Sequence, residues 1–232
     1  MRRVYRTAAV VPRPCGYGVA LDDRPVGTPA ARPLIVPSRA LAEAIAAEWQ
    51  AQGDKVVPAS MPMQQLANGV IDRIAPEAAR IVDLLAAYAE TDLLCHWAEG
   101  PDELVQRQRR HWQPLLDWSA TDLDAPLRPV AGIIAQRQPD AALAALRTVV
   151  ASLDPFALGA LNVLTTGTGS LLIGLAVVRG RIGLDEAWQA AQVDEAYQVE
   201  KWGEDDEAAA RRANIRADLA AAVRFLELAA QA

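Results

Sequence analysis

The spacing of apolar residues along this chain changes between residues 54 and 60. Over the first 37 positions short apolar runs alternate with proline, glycine and turn residues. Val4–Val11 and Tyr17–Leu21 predict strands, Asp22-Asp23-Arg24-Pro25 predicts a turn, and Pro33–Pro37 predicts a short strand at a sheet edge. Ser38 then caps a helix in which Leu41, Ile45 and Trp49 recur every four residues, and Gly53 ends it. From Met61 onward the spacing is helical almost throughout. Residues 61–74 and 77–97 predict one long helical region broken near Pro76, and Pro101 opens a helix running to about Trp118. Further helices are expected over about 139–152, 156–164, 170–179, 184–201 and 205–230. The expected fold class is therefore α+β. A small N-terminal mainly-β domain with one helix spans 1–58, and a larger all-α helical domain spans 59–232.

The stretch Pro155–Val178 carries no charge and reaches the ~20 residues of a membrane-spanning helix. Thr165–Ser170 divides it into two apolar pieces of about three turns or less, so each reads as a buried helix and no membrane insertion is expected. Apolar residues make up 52% of the 232 positions, enough for a real core and far from a disordered composition. A net charge of −6 opposes a nucleic-acid partner. The charge is also uneven: seven arginines against Asp22 and Asp23 in residues 1–40, but nine acids against Arg181 and Lys201 in residues 181–207. Cys15 and Cys95 form neither a disulfide framework nor a metal-ligand spacing, which fits a reducing compartment. The basic start lacks an apolar signal region, and a cytoplasmic location is expected.

Residues 194–208 place seven carboxylates around Tyr197 and Trp202. On a wheel of 100° per residue, Leu184, Trp188, Ala191, Val199 and Trp202 share a stripe about 80° wide, and Glu195 falls inside it. Asp194 and Glu200 point elsewhere, as solvated acids do. A carboxylate on an apolar face is costly unless it is paired or the face is not core. Glu195 therefore belongs either to a buried ion pair with a neighbouring helix or to a surface that meets another protein. The candidate partner-binding residues are Glu195, Trp202, Asp194, Glu200, Glu204, Asp205 and Trp188. Trp202-Gly203-Glu204-Asp205 also reads as a helix end followed by a cap.

Thr166–Ser170, opening a helix, offers an alternative: a phosphate cradle at Gly167–Ser170 of a small-molecule enzyme or sensor. It lacks the lysine and spacing of a P-loop. Cys95-His96 and His111-Trp112 read as packing residues, because adjacent helical positions point about 100° apart. No nucleophile, base and orienting group come together, no metal set emerges and no cofactor is expected.

Several segments, in order, resemble one known family. They are Gly16–Ala30 with its glycine-tyrosine hairpin, Pro33–Ser38, Ile45–Gly53, Met61-Pro62-Met63 with Leu66-Ala67-Asn68 and Ile71-Asp72-Arg73, Thr91–Cys95, Trp112–Trp118, and Asp194-Glu195 with Gln198, Glu200 and Trp202–Asp205. Together they resemble the ATP12 chaperone family, assembly factors of the F1 sector of ATP synthase. His96, Asp23 and Gly27 depart from the pattern, where an aromatic, a glycine and a lysine are usual. The resemblance implies an N-terminal mainly-β domain, a C-terminal helical domain and no catalysis. It also implies binding of the unassembled F1 α subunit until the β subunit replaces the chaperone, which is expected to be monomeric when free. Eukaryotic relatives would work in the mitochondrial matrix. The family's sensitive positions lie in the acidic segment, and the matching residue here is Glu195.

Overall fold

The computed structural model describes residues 2–132 and 136–231. The chain forms two compact units. Unit 1 takes residues 1–78, 154–160 and 221–232; unit 2 takes 79–153 and 161–220.

Unit 1 is built on an antiparallel hairpin of β1 (Ala8–Arg13) and β2 (Gly16–Leu21), with Val10 opposite Val19, and β3 (Arg24–Pro25) adds antiparallel to the end of β2. The first strand begins later than the apolar run from Val4 predicts. The Arg6 and Thr7 N–H groups donate to the Asp22 carboxylate at 3.1 and 3.0 Å, so the ladder starts at Ala8. Pro33–Pro37 forms no strand of its own. Tyr17 and Val36 exchange N–H···O bonds of 2.9 and 2.8 Å as an isolated bridge, and the flanking prolines have no N–H to extend it. Gly16 sits beneath this bridge at φ 141°, where any side chain would collide with the Val36 carbonyl.

Helix α1 (Arg39–Gln50) packs on β1 and β2, capped by the Ser38 hydroxyl, which accepts from Leu41 N–H at 3.0 Å. Helix α2 (Pro62–Gly69) starts where the Glu48 carboxylate accepts from the Met63 and Gln64 N–H groups at 2.7 and 2.9 Å. The Trp49 indole donates to Gln64 at 2.8 Å, and Tyr5 donates to the Trp49 carbonyl at 2.7 Å. A π-helical turn at Val70–Ile74 follows α2, and there Asp72 accepts from the Thr28 hydroxyl and Ala30 N–H at 2.6 and 3.0 Å. Val19, Leu34, Leu41, Ile45, Met63 and Phe225 form the core of this unit, with Phe156 stacked on Phe225 at 5.9 Å.

Helix α3 (Ala78–Ala87) leads into unit 2. The helix expected through residue 97 ends early: short 3-10 turns at Tyr88–Thr91 and Leu93–Cys95 flank Asp92, and β4 (His96–Trp97) pairs in parallel with β5 (Val130–Ala131). The remaining helices are α4 (Asp102–Asp122), α5 (Asp140–Ala151), α6 (Pro155–Thr168), α7 (Leu171–Val178), α8 (Leu184–Ala191), α9 (Val193–Trp202) and α10 (Asp206–Ala229). Helix α4 packs against α7, α8 and α9, with Trp112 buried between them. Its indole donates to the Ala190 carbonyl at 2.7 Å. A continuous helix would have given that carbonyl to the Asp194 N–H. The single helix expected over 184–201 is instead two, broken at Gln192 (φ −110°, ψ 14°). Together the N-terminal sheet and the mainly helical remainder make the fold α+β. Among the described residues no helix is long and apolar enough to cross a membrane. Helices α6 and α7 carry the uncharged stretch, and every residue of Leu171–Val177 is buried.

Candidate functional site

The core face of the acidic segment is not its stripe of large apolar residues. Ala187 and Ala190 of α8 and Val193 and Tyr197 of α9 are buried. Leu184, Trp188, Ala191 and Val199, the stripe expected to be apolar core, are only half-buried. Glu195 is exposed, and among the described residues it makes no hydrogen bond or ion pair. The buried ion pair offered as one reading of Glu195 is therefore absent: the stripe is a flank, and its carboxylate stays in water. Trp202, at the end of α9, is 77% exposed.

The neighbouring acids are held by unit 2 itself. Arg107 of α4 grips Glu200 with both terminal nitrogens, at 2.8 and 2.7 Å, and reaches Glu103 at 2.7 Å. Lys201 closes the network on Glu103 at 2.9 Å. The two cations lie 5.4 and 5.1 Å from the centre of the Tyr197 ring. The Arg107 hydrogen bond holds Glu200 below the ordinary carboxylate range, and Lys201, then Arg107, do the same for Glu103. Arg212 ties Glu204 at 2.5 Å and Gln192 at 3.0 Å. Asp205 accepts from the Glu207 and Ala208 N–H groups at 3.0 and 2.9 Å, the cap expected for α10. Asp194 accepts from the Gln108 amide at 2.7 Å, and burial raises its carboxyl despite that bond.

Of the seven candidate residues, Asp194, Glu200, Glu204 and Asp205 thus carry internal bonds. Trp188 is half-buried beside Arg107, His111 and Arg212 around a pocket of ≈ 220 Å³. Glu195 and Trp202 remain unengaged among the described residues. A second cavity of ≈ 430 Å³ lies on the other side of Asp194, lined by His96, Trp97, Glu99, Leu104, Gln108 and Gln198 among others. Sequence reasoning did not find Gln108, Arg107 or Trp97 as members of this region. Gln108 and Arg107 lie 86 and 93 positions from the acids they hold, and no local spacing signals that.

The phosphate cradle does not survive the structure. Thr166–Thr168 belong to the end of α6, and Gly169 (φ 72°) makes the turn. Ser170 caps α7 through Ile173 N–H at 3.0 Å. The place an anion would occupy is filled by the chain's own Asp92. Its carboxylate accepts from the Ser170 hydroxyl at 2.7 Å and the Leu172 N–H at 3.1 Å, and both residues are wholly buried. Among the described residues no three His, Cys, Asp or Glu converge to hold a metal ion. What the exposed groups of α9 offer is non-covalent recognition.

Comparison with known proteins agrees with that chemistry. The family described as ATP12 chaperone protein matches residues 2–120. Protein atp12, mitochondrial, of Schizosaccharomyces pombe is 24% identical over 197 residues, covering 80% of this chain and 68% of that protein. The crystal structure of Atp12 from Paracoccus denitrificans is 43% identical with a TM-score of 0.95, covering 98% of each chain. That of the Atu1473 protein from Agrobacterium tumefaciens is 39% identical with a TM-score of 0.92, covering 97% of this chain and 85% of that one. The chain belongs to the ATP12 chaperone family, whose members are chaperones rather than enzymes.

Proposed function

We propose that this chain serves ATP synthase assembly by binding the unassembled F1 α subunit and keeping it from aggregating until the β subunit takes its place. The observation that carries the reading is the pairing of Trp202, 77% exposed, with the carboxylate of Glu195, unpartnered among the described residues, on one short helix. An α subunit without β exposes the apolar, partly charged surface meant for its neighbour, an aggregation hazard. A large ring beside a free carboxylate suits such a surface, because tryptophan anchors dominate interface energies. Glu195 and Trp202 would touch the client directly. Glu200, Glu204, Asp205 and Trp188 would set the position and charge of α9 around them, and Asp194 would face the client from the adjoining cavity. Release to β requires only moderate affinity. The reading implies a monomeric free chaperone acting in a bacterial cytoplasm.

The test is co-expression of this chain with the α subunit of its own organism, scoring soluble α and co-elution on size exclusion. Wild type should keep α soluble and travel with it. Glu195→Gln and Trp202→Ala should melt like wild type yet lose α. Precipitation of α with the wild-type chain at every salt concentration would overturn the reading. So would equal protection of unrelated aggregating proteins, the mark of a general scaffold.

A further inference from the structure

The cavity of ≈ 430 Å³ beside α9 contains an acid that differs electrostatically from its neighbours. Glu200, Glu103, Glu204 and Asp185 each have an arginine or lysine within 2.9 Å. Among the described residues Asp194 has only the neutral Gln108 amide, on one oxygen. That amide cannot swing away to serve something else. Gln108 is buried, and its carbonyl accepts from the Ala98 N–H at 2.9 Å. Glu99 adds a second acid to the lining, Gln198 adds an amide, and no arginine or lysine is among the described lining residues. A half-buried carboxylate without a counter-charge is costly, and a cation brought to it regains that cost.

We infer that this cavity receives an arginine side chain of the client, its guanidinium meeting the free oxygen of Asp194 and the Gln198 amide beside Trp97. The inference rests on the chaperone reading above and names the client chemistry that the site takes. Guanidinium suits the lining better than ammonium for two reasons. Its planar fork can bond the carboxylate and a second acceptor at once, and it is weakly hydrated and associates with aromatic rings. The ring it would meet is held firmly: the Trp97 indole donates to the Leu94 carbonyl at 2.8 Å, and the ring stands edge-to-face on Trp112 at 6.4 Å. The source is a protein chain because the cavity continues the proposed contact surface. Asp194, Gln198 and Trp202 recur every four residues along α9, so they share one face over about 12 Å. A segment resting on Trp202 therefore has the cavity within reach of its side chains.

Asp194→Asn, Gln198→Ala and Trp202→Ala are compared for α binding, with melting as the control for folding. Asp194→Asn keeps the Gln108 bond but removes the charge, and it should weaken α binding about 30-fold or more at unchanged melting temperature. If Asp194→Asn binds α as wild type does while Trp202→Ala fails, the arginine site is wrong and the chaperone reading stands. If wild type does not bind α at all, that reading fails, and a direct probe decides the cavity. N-acetyl-arginine amide at millimolar concentration should shift the Trp97 indole N–H resonance of wild type and not of Asp194→Asn. The citrulline analogue should leave it unmoved. No shift, or an equal shift with the lysine analogue, overturns the inference.

Discussion

Asp92 and Ser170, 78 positions apart, share a hydrogen bond of 2.7 Å in the interior of unit 2. The same carboxylate accepts from the Leu94 and Leu172 N–H groups at 3.1 Å each, so it caps the start of the Leu93–Cys95 turn and also supports the start of α7. Removing it strands several buried donors, each worth about 1–3 kcal/mol. Asp92→Ala should lose on the order of 3 kcal/mol in a urea melt. Inorganic phosphate should not restore it. Burial raises Asp92 above its unfolded value despite these bonds. The stability linked to its protonation is full below the unfolded carboxylate range and is lost as pH rises through the folded value. The margin of wild type over the non-titrating Asp92→Asn should therefore shrink as pH rises.

Arg107 organises the exposed side of α9, and its effect has the opposite pH sign. It and Lys201 hold Glu200 and Glu103 below the ordinary range, so the stability of this network is full above the unfolded carboxylate range and is lost as pH falls. Arg107→Met should flatten the acid limb of the stability profile, and the difference should fade in high salt. Amide exchange across residues 193–202 should quicken in the variant, which hydrogen-exchange mass spectrometry would register.

In unit 1 the Glu48 carboxylate does the work of an N-cap for a helix it does not belong to, accepting from Met63 and Gln64. Glu48→Ala should cost about 1–2 kcal/mol, by analogy with loss of a local cap. Glu48→Gln, which keeps one acceptor oxygen, should fall between. Urea denaturation of the three chains gives the order directly.

The hydroxyl of Thr165 is wholly buried and, among the described residues, has no hydrogen-bond partner. Thr165→Val keeps the shape and removes the unsatisfied group, so it should stabilise the protein by about 1 kcal/mol. A lower melting temperature in the valine variant would count against that account.

The two thiols should react very differently. Cys15 is exposed, whereas burial, and then Asp92, push the Cys95 thiol up to about 12. One equivalent of an aromatic disulfide reagent should react quickly at neutral pH, and Cys15→Ser should abolish that phase.

Elements signalled by adjacent residues were legible in the chain: the β1–β2 hairpin, the Ser38 and Ser170 caps, the Pro101 helix start and the Asp205 cap. Elements decided by distant partners were not. Nothing near residue 192 announces a break, because the group supplied to the Ala190 carbonyl comes from Trp112 on another helix. The parallel pair of His96–Trp97 with Val130–Ala131 is likewise invisible to local periodicity, being two residues long on each side. Nor could spacing show that Ala187, Ala190, Val193 and Tyr197, rather than the stripe that holds Glu195, face the core.

The sequence by itself determined the α+β class, most helix starts and, through its ordered motifs, the ATP12 chaperone family. These rest on backbone propensity, capping and apolar spacing, all of which act over a few residues. Only the tertiary structure decided which acids of residues 194–207 are engaged and which stand free. It placed Arg107 on Glu200, Gln108 on Asp194 and Asp92 under α7, and it left Glu195 and Trp202 in solvent. The physical reason is that a charge is satisfied by whatever group the fold brings within about 3 Å, and chain separation places no limit on that.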